Sequence, residues 1–248
     1  MKNIFQNYFE KKKNKKIKVI VGLSGGIDSA YSAYLLKRQG FDVEAFYMRN
    51  WDTVKNKELN NILTDDDNCN ITQDMEDAKL IAGFLDIPFH KVNLVDEYWN
   101  LVFKTFIEEL KNGITPNPDI MCNKYIKFDK FLEYVSKEIG EFDYIATGHY
   151  AKIVQKGDQY YLAKAKDSTK DQTYFLAEIQ KELLPKIKFP LQDLLKSEVR
   201  ENALKLNFPN AIKKDSVGIC FIGERNFVKF LSNYIDTKVG DIINIDTK

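Results

Sequence analysis

Six consecutive residues, Ser24-Gly25-Gly26-Ile27-Asp28-Ser29, carry the most specific chemistry in the chain. Adjacent glycines admit positive φ and let backbone N–H groups close on a phosphate. A helix starting just after them adds orphan N–H donors and a partial positive charge. The hydroxyls of Ser24 and Ser29 are further donors. No lysine ends the loop, which separates it from the GxxxxGK[ST] pattern. An ordinary glycine-rich turn with Asp28 as N-cap is the plain alternative. The complete hexapeptide, set between a strand and a helix, argues for phosphate.

Three cysteines, Cys69, Cys122 and Cys220, are too few for a disulfide scaffold and lack zinc spacing. A reducing, cytoplasmic setting is the expectation, in which a functional thiol is reactive rather than structural. Cys122 follows Asn117-Pro118-Asp119 and Cys220 follows Gly218, so both are expected in turn-rich, non-helical settings. Packing cysteines more often sit inside apolar strands or helices, the reading kept for Cys69. Asp119, three residues before Cys122, is placed to act as a general acid or base.

The elements that must position these residues follow from periodicity. Residues 17–23 (IKVIVGL), 43–48, 90–94 and 144–147 read as buried parallel strands. Residues 28–39, 74–85, 96–110 and 123–139 read as the intervening helices, with Gly40 closing the first. The alternation predicts an α/β fold, a parallel sheet with helices on both faces. Residues 151–154 and 160–163 flank a Gly157-Asp158 turn and read as a hairpin. Helices are then expected over 172–180, 196–206 and 226–234, forming a small, mixed, mainly helical domain. The expected organisation is a basic lead over 1–16, a nucleotide domain over 17–165, a second domain over 166–238, and a first strand of something further over 239–248. The polar stretch 52–70, with Asp65-Asp66-Asp67, is expected to be a solvated loop rather than a metal site.

Bulk properties exclude more than they select. Net charge is +1, from 37 basic and 36 acidic residues, so only a local basic face could speak for nucleic acid. No apolar run is long enough for a membrane span, and no membrane partner is expected. The N-terminal segment lacks a signal-peptide core. The basic residues are nearly all lysine, arginine occurring only at 38, 49, 200 and 225. With the many Asn and Ile, that reads as a genomic habit.

The Ser24–Ser29 loop resembles the SGGxDS loop of ATP pyrophosphatases, which split ATP between its α and β phosphates. Three further segments narrow the likeness: 115–128 (TPNPDIMCNKYIKF), 146–150 (ATGHY) and 215–225 (DSVGICFIGER). With Met48-Arg49-Asn50-Trp51, Tyr98-Trp99 and Lys170-Asp171-Gln172, they resemble the tRNA 2-thiouridylases from about residue 17 onward. The resemblance implies an adenine nucleotide alpha-hydrolase-like fold. It implies an ATP site lined by Gly22, Leu23, Ser24, Gly25, Gly26, Ile27, Asp28, Ser29, Met48 and Gly148. Asp28 would act through Mg²⁺ or by fixing the loop, and no protein-held metal is implied. Cys122 would be the catalytic nucleophile and Cys220 the persulfide carrier, the pair ending as a disulfide. Asn117, Pro118 and Asp119 would meet the target base; His149, Lys170, Asp171 and Gln172 would contact tRNA. Implied partners are tRNAs for Lys, Glu and Gln, and a persulfide donor such as a cysteine desulfurase or sulfur-relay protein. The family normally continues into a C-terminal β-barrel, which this sequence is expected to lack, as a reduced form or a fragment. Lys124 and Lys127 read as surface lysines, and Lys11 to Lys18 as a solvated tail. A different ATP pyrophosphatase, or a tRNA-binding protein without catalysis, are the alternatives; neither requires both cysteines.

Overall fold

The computed structural model describes residues 16–57, 66–215, 218, 222, 226–236, 243 and 246, with backbone alone over 66–72. Cys220, Asp65 and the lead before residue 16 lie outside the described residues.

The central strand, β1 (Lys18–Gly22), is apolar along nearly its whole length because both sheet faces are covered. It is followed by α1 (Ile27–Arg38), β2 (Asp42–Arg49), α2 (Asp66–Phe84) and β3 (Phe89–Asn93). A long helical arm comes next: α3 (Val95–Tyr98), a π-helical turn at Trp99–Phe103, and α4 (Lys104–Lys111). A second arm comprises α5 (Pro118–Met121), a π-helical stretch Cys122–Lys130 and α6 (Phe131–Glu138). After β4 (Tyr144–Ala146) comes the antiparallel hairpin β5 (Ala151–Lys156) and β6 (Gln159–Lys164), turning at Gly157 with φ 59°.

Five strands form one parallel sheet in the order β3-β2-β1-β4-β7. This is the expected α/β architecture. Its last member, β7 (Ile187–Lys188), is two residues long and lies beyond the hairpin. The sheet therefore draws on residues past 165. The remaining helices are α7 (Lys196–Lys205) and α8 (Phe227–Leu231). Two apolar cores lie on opposite faces. One gathers Phe46, Trp51, Phe103, Cys122 and Phe131; the other gathers Val19, Tyr31, Ile81, Leu191 and Phe208. No helix among the described residues is long and apolar enough to cross a membrane.

Three expectations change. The helix expected over 74–85 begins at Asp66, so the polar stretch 52–70 is helical over its last residues. The helix expected from 123 begins at Pro118. The turn signal in Asn117-Pro118-Asp119 is a helix start, with Asn117 Oδ1 accepting from the N–H groups of Asp119 (3.1 Å) and Ile120 (3.2 Å) and Pro118 as the first helical residue. Residues 172–180 form only a 3₁₀ turn, Thr173–Leu176. Asp171 accepts from the Thr173 N–H and hydroxyl, and the Gln172 N–H donates to the Tyr150 carbonyl, pinning the start of this turn.

Candidate active site

The Ser24–Ser29 loop leaves the C-terminal end of β1, the edge where open parallel sheets bind ligands. Gly25 sits at φ 80°, and a Cβ there would fall 2.4 Å from the Asp74 carbonyl oxygen. Only glycine satisfies both the dihedral and the contact. The serines knit the turn: Ser29 Oγ donates to the Gly26 carbonyl (2.9 Å), lies 3.1 Å from Ser24 Oγ, and accepts from the Ser24 N–H (3.1 Å). Gly26 caps α1 in extended conformation with no side chain on the helix end, leaving the first-turn donors without side-chain capping.

The sequence-predicted ATP residues come together around this loop. Met48, at the end of β2, reaches to 3.3 Å of where a Gly22 Cβ would stand. Gly148, just past β4, is pressed so closely on α1 that a Cβ would lie 2.7 Å from the Ser29 nitrogen. Leu23 and Ile27 are buried and anchor the loop in the core.

Asp28 is engaged on both carboxylate oxygens. Lys196, the first residue of α7, donates to Oδ1 (2.7 Å) and Oδ2 (2.8 Å), and the Tyr150 hydroxyl donates to Oδ1 (3.0 Å). Lys196 also meets Asp215 (2.8 Å), which takes Arg200 (2.7 Å) and Lys170 (3.2 Å). Burial pushes the Asp215 carboxyl up, but Lys196 and Lys170 outweigh it and hold it below the ordinary carboxylate value. Asn210 Nδ2 donates to the Gly25 carbonyl (2.9 Å), and Lys213 pairs with Asp74 and Asp77. Residues 196–215 thus bracket the loop. Sequence reasoning missed Lys196, Tyr150, Asp215 and Asn210 as site residues. Tyr150 and Asp215 stood within motifs already singled out; Lys196, 168 positions from Asp28, had no local signal.

Cys122 occupies a different environment. Expected in a turn, it is the first residue of the π-helical stretch and is fully buried, in the core cluster that includes Ile126, Phe128 and Phe131. Asn123 Nδ2 donates to the carbonyls of Asp119 and Phe175, both at 3.0 Å, tying this arm to the 173–176 turn. Lys124 pairs with Glu178 (2.7 Å) and is no isolated surface charge. His149 Nδ1 lies 2.7 Å from Thr147 Oγ1. Burial, helped by Lys127, drives its imidazole well below the ordinary value, so it is neutral at pH 7. The Lys170-Asp171-Gln172 stretch has internal partners throughout: Asp215 for Lys170, Thr173 for Asp171, and Tyr150 for Gln172.

A parallel sheet carrying a lysine-free, glycine-rich phosphate loop on its central strand defines a Rossmann-like domain of the PP-loop type. The family model described as the tRNA methyl transferase HUP domain matches residues 17–224, and the chain belongs to that family. It is 54% identical over 235 residues to the tRNA-specific 2-thiouridylase MnmA of Mycoplasma capricolum, covering 94% of this chain and 62% of that protein. It is 50% identical to the tRNA-specific 2-thiouridylase MnmA 1 of Geobacillus kaustophilus, covering 94% of this chain and 60% of that one. The chain therefore spans somewhat under two thirds of the length of these curated relatives. Among solved structures, the NMN synthetase of Francisella tularensis aligns with TM-score 0.45 and 18% identity, over 84% of this chain and 68% of that one.

Proposed function

We propose that the chain binds ATP at the 22–29 loop and belongs to an enzyme that 2-thiolates the wobble uridine of tRNA. The observation that carries the reading is the loop itself: a φ of 80° at Gly25, uncapped α1 donors and the exposed Ser24 hydroxyl at the C-terminal end of the central strand. ATP adenylates O2 of the uracil and releases pyrophosphate, which turns a poor leaving group into AMP. Cys122 thiolate attacks the Cys220 sulfur of a Cys220 persulfide. Sulfide leaves, adds to C2 of the adenylated base and displaces AMP. The two cysteines end as a disulfide, which an external reductant resets with two electrons. Asn117, Pro118 and Asp119 face the target base in this reading, with Asp119 the acid or base. His149, Lys170, Asp171 and Gln172 are assigned to tRNA contact, and Gly22 to Ser29, Met48 and Gly148 to ATP.

Mg²⁺ fits this site as a phosphate-borne ion rather than a caged one. Asp28 is the single carboxylate on the loop, and the described residues hold no cluster of three or more metal-binding side chains. The ion would neutralise charge on the β and γ phosphates with Asp28 as its protein ligand. Lys196 covers both Asp28 oxygens; incoming phosphates compete for that ammonium and uncover the carboxylate.

Methyl transfer, which the family model's description names, has no need of a pyrophosphate-splitting loop. An amide-forming synthetase would use the loop but not Cys122. The donor is proposed to be a cysteine desulfurase or sulfur-relay protein, the tRNAs those for Lys, Glu and Gln, and the compartment the cytoplasm. The deciding experiment incubates tRNA with protein, ATP, Mg²⁺ and a sulfur source, then digests the tRNA and looks for 2-thiouridine by mass spectrometry. Pyrophosphate release without thiolated nucleoside would favour the synthetase reading; tRNA binding with neither would favour a binding module.

A further inference from the structure

Asp28 has two kinds of partner, and only one of them can leave with a phosphate. The Lys196 ammonium is drawn to any incoming anion. The Tyr150 hydroxyl is neutral, the residue is only 2% exposed, and its backbone is held by Gln172. The Tyr150 N–H donates to Gln172 Oε1 (2.9 Å), and its carbonyl accepts from the Gln172 N–H (3.0 Å). Gln172 in turn accepts from the Phe175 N–H (3.1 Å), and the Phe175 carbonyl accepts from Asn123, the neighbour of Cys122.

We propose that Tyr150, clamped by Gln172, is a positioning residue that fixes the Asp28 carboxylate for the nucleotide step, and that the 172–175 turn is the shared footing of the phosphate loop and the Cys122 arm. The inference rests on the ATP reading above. Once Lys196 moves to phosphate, the Tyr150 bond still holds Asp28 Oδ1 and leaves Oδ2 facing the ligand. Gln172 then serves the nucleotide step whether or not it also meets tRNA.

The test measures pyrophosphate release against ATP and Mg²⁺ concentration, with tRNA affinity and Cys122 alkylation followed on the same proteins. Tyr150→Phe deletes one hydrogen bond to a charged group. It should lower kcat/KM for ATP by roughly 10- to 100-fold, raise the Mg²⁺ requirement, and leave tRNA affinity within about twofold. Gln172→Ala should reproduce that loss, and Asn123→Ala, which removes the bond to the Phe175 carbonyl, should speed Cys122 alkylation, read at the peptide level; an unchanged rate in Asn123→Ala overturns the shared footing. Gln172→Glu keeps the acceptor for the Tyr150 N–H and should recover most of the ATP step. Wild-type turnover with an unchanged Tyr150→Phe overturns the inference alone. A Gln172→Ala whose only defect is tRNA affinity overturns the shared footing. Wild-type protein that releases no pyrophosphate with ATP and tRNA overturns the ATP reading, and this inference with it.

Discussion

The phosphate loop and the Cys122 arm are held by opposite means. The loop is fixed by charge and close backbone approach: Lys196 on Asp28, Asn210 on the Gly25 carbonyl, Asp74 against Gly25 and Gly148 against Ser29. The arm is fixed by apolar packing, with Cys122 buried in the core cluster that also holds Phe128 and Phe131. Trp51, Trp99, Phe103, Phe230 and Tyr234 form an aromatic cluster in the same core, the Trp51 and Phe103 centroids 4.8 Å apart. Polar anchorage can be exchanged for ligand contacts without leaving a void, so it suits a site that fills and empties. Apolar anchorage protects a thiol, and exposing it means moving a packed helix.

The sharpest way to break this contrast is to separate the two chemistries. Asp28→Ala and Gly25→Val should abolish pyrophosphate release, the first by removing the loop carboxylate, the second by a clash with Asp74 and a backbone penalty of about 1–3 kcal/mol. Cys122→Ser should keep pyrophosphate release and lose thiolation. Normal ATP turnover in Asp28→Ala would refute the loop assignment.

Next in size is the apolar anchor. Trp51→Ala empties a fully buried site and should destabilise the fold by about 3–5 kcal/mol in urea unfolding. A loss below about 1 kcal/mol would mean that the cluster collapses to fill the hole. Asn117→Ala removes the cap at the start of the Cys122 arm and should cost about 1 kcal/mol. Alkylation of Cys122 should quicken in that variant; an unchanged rate would mean that packing alone holds the thiol.

The smallest effect is a two-step acid profile. His149 is held neutral in the folded state, so the unfolded chain binds the extra proton as pH falls through about 6.5, and stability declines there. Asp215 and Asp167 are held below their ordinary values, Asp167 chiefly by the Lys196 backbone N–H. Their contribution is intact above about pH 4 and lost below it, as pH falls through the folded values. Thermal melts across pH should show both declines, and His149→Asn should remove only the first.

The contrast also explains what the sequence revealed. The loop was legible because its signal is contiguous: glycines, hydroxyls and one carboxylate in six residues between a strand and a helix. The first four strands were legible from their apolar runs. The setting of Cys122 was misread because Asn-Pro-Asp announces a turn and a helix start equally well, and only the accepted bonds from Asp119 and Ile120 separate the two. The Lys196–Asp28 pair was invisible because an ion pair across so many residues leaves no periodic trace. The two-residue β7 has too little length to carry a pattern, yet it completes the sheet.

The π-helical stretch between Cys122 and Lys130 amounts to extra residues threaded into an α-helix, absorbed in part at Phe128, whose φ of −113° and ψ of 16° leave the helical region. The residues before and after it therefore belong to different angular frames. Each residue in an α-helix advances the direction of its side chain by about 100°. A one-residue deletion between Cys122 and Phe131 would swing the thiol about that far around the arm's axis while the rest of the core stayed in place. Insertion and deletion, more than substitution, are the changes to which the aim of this cysteine is most sensitive.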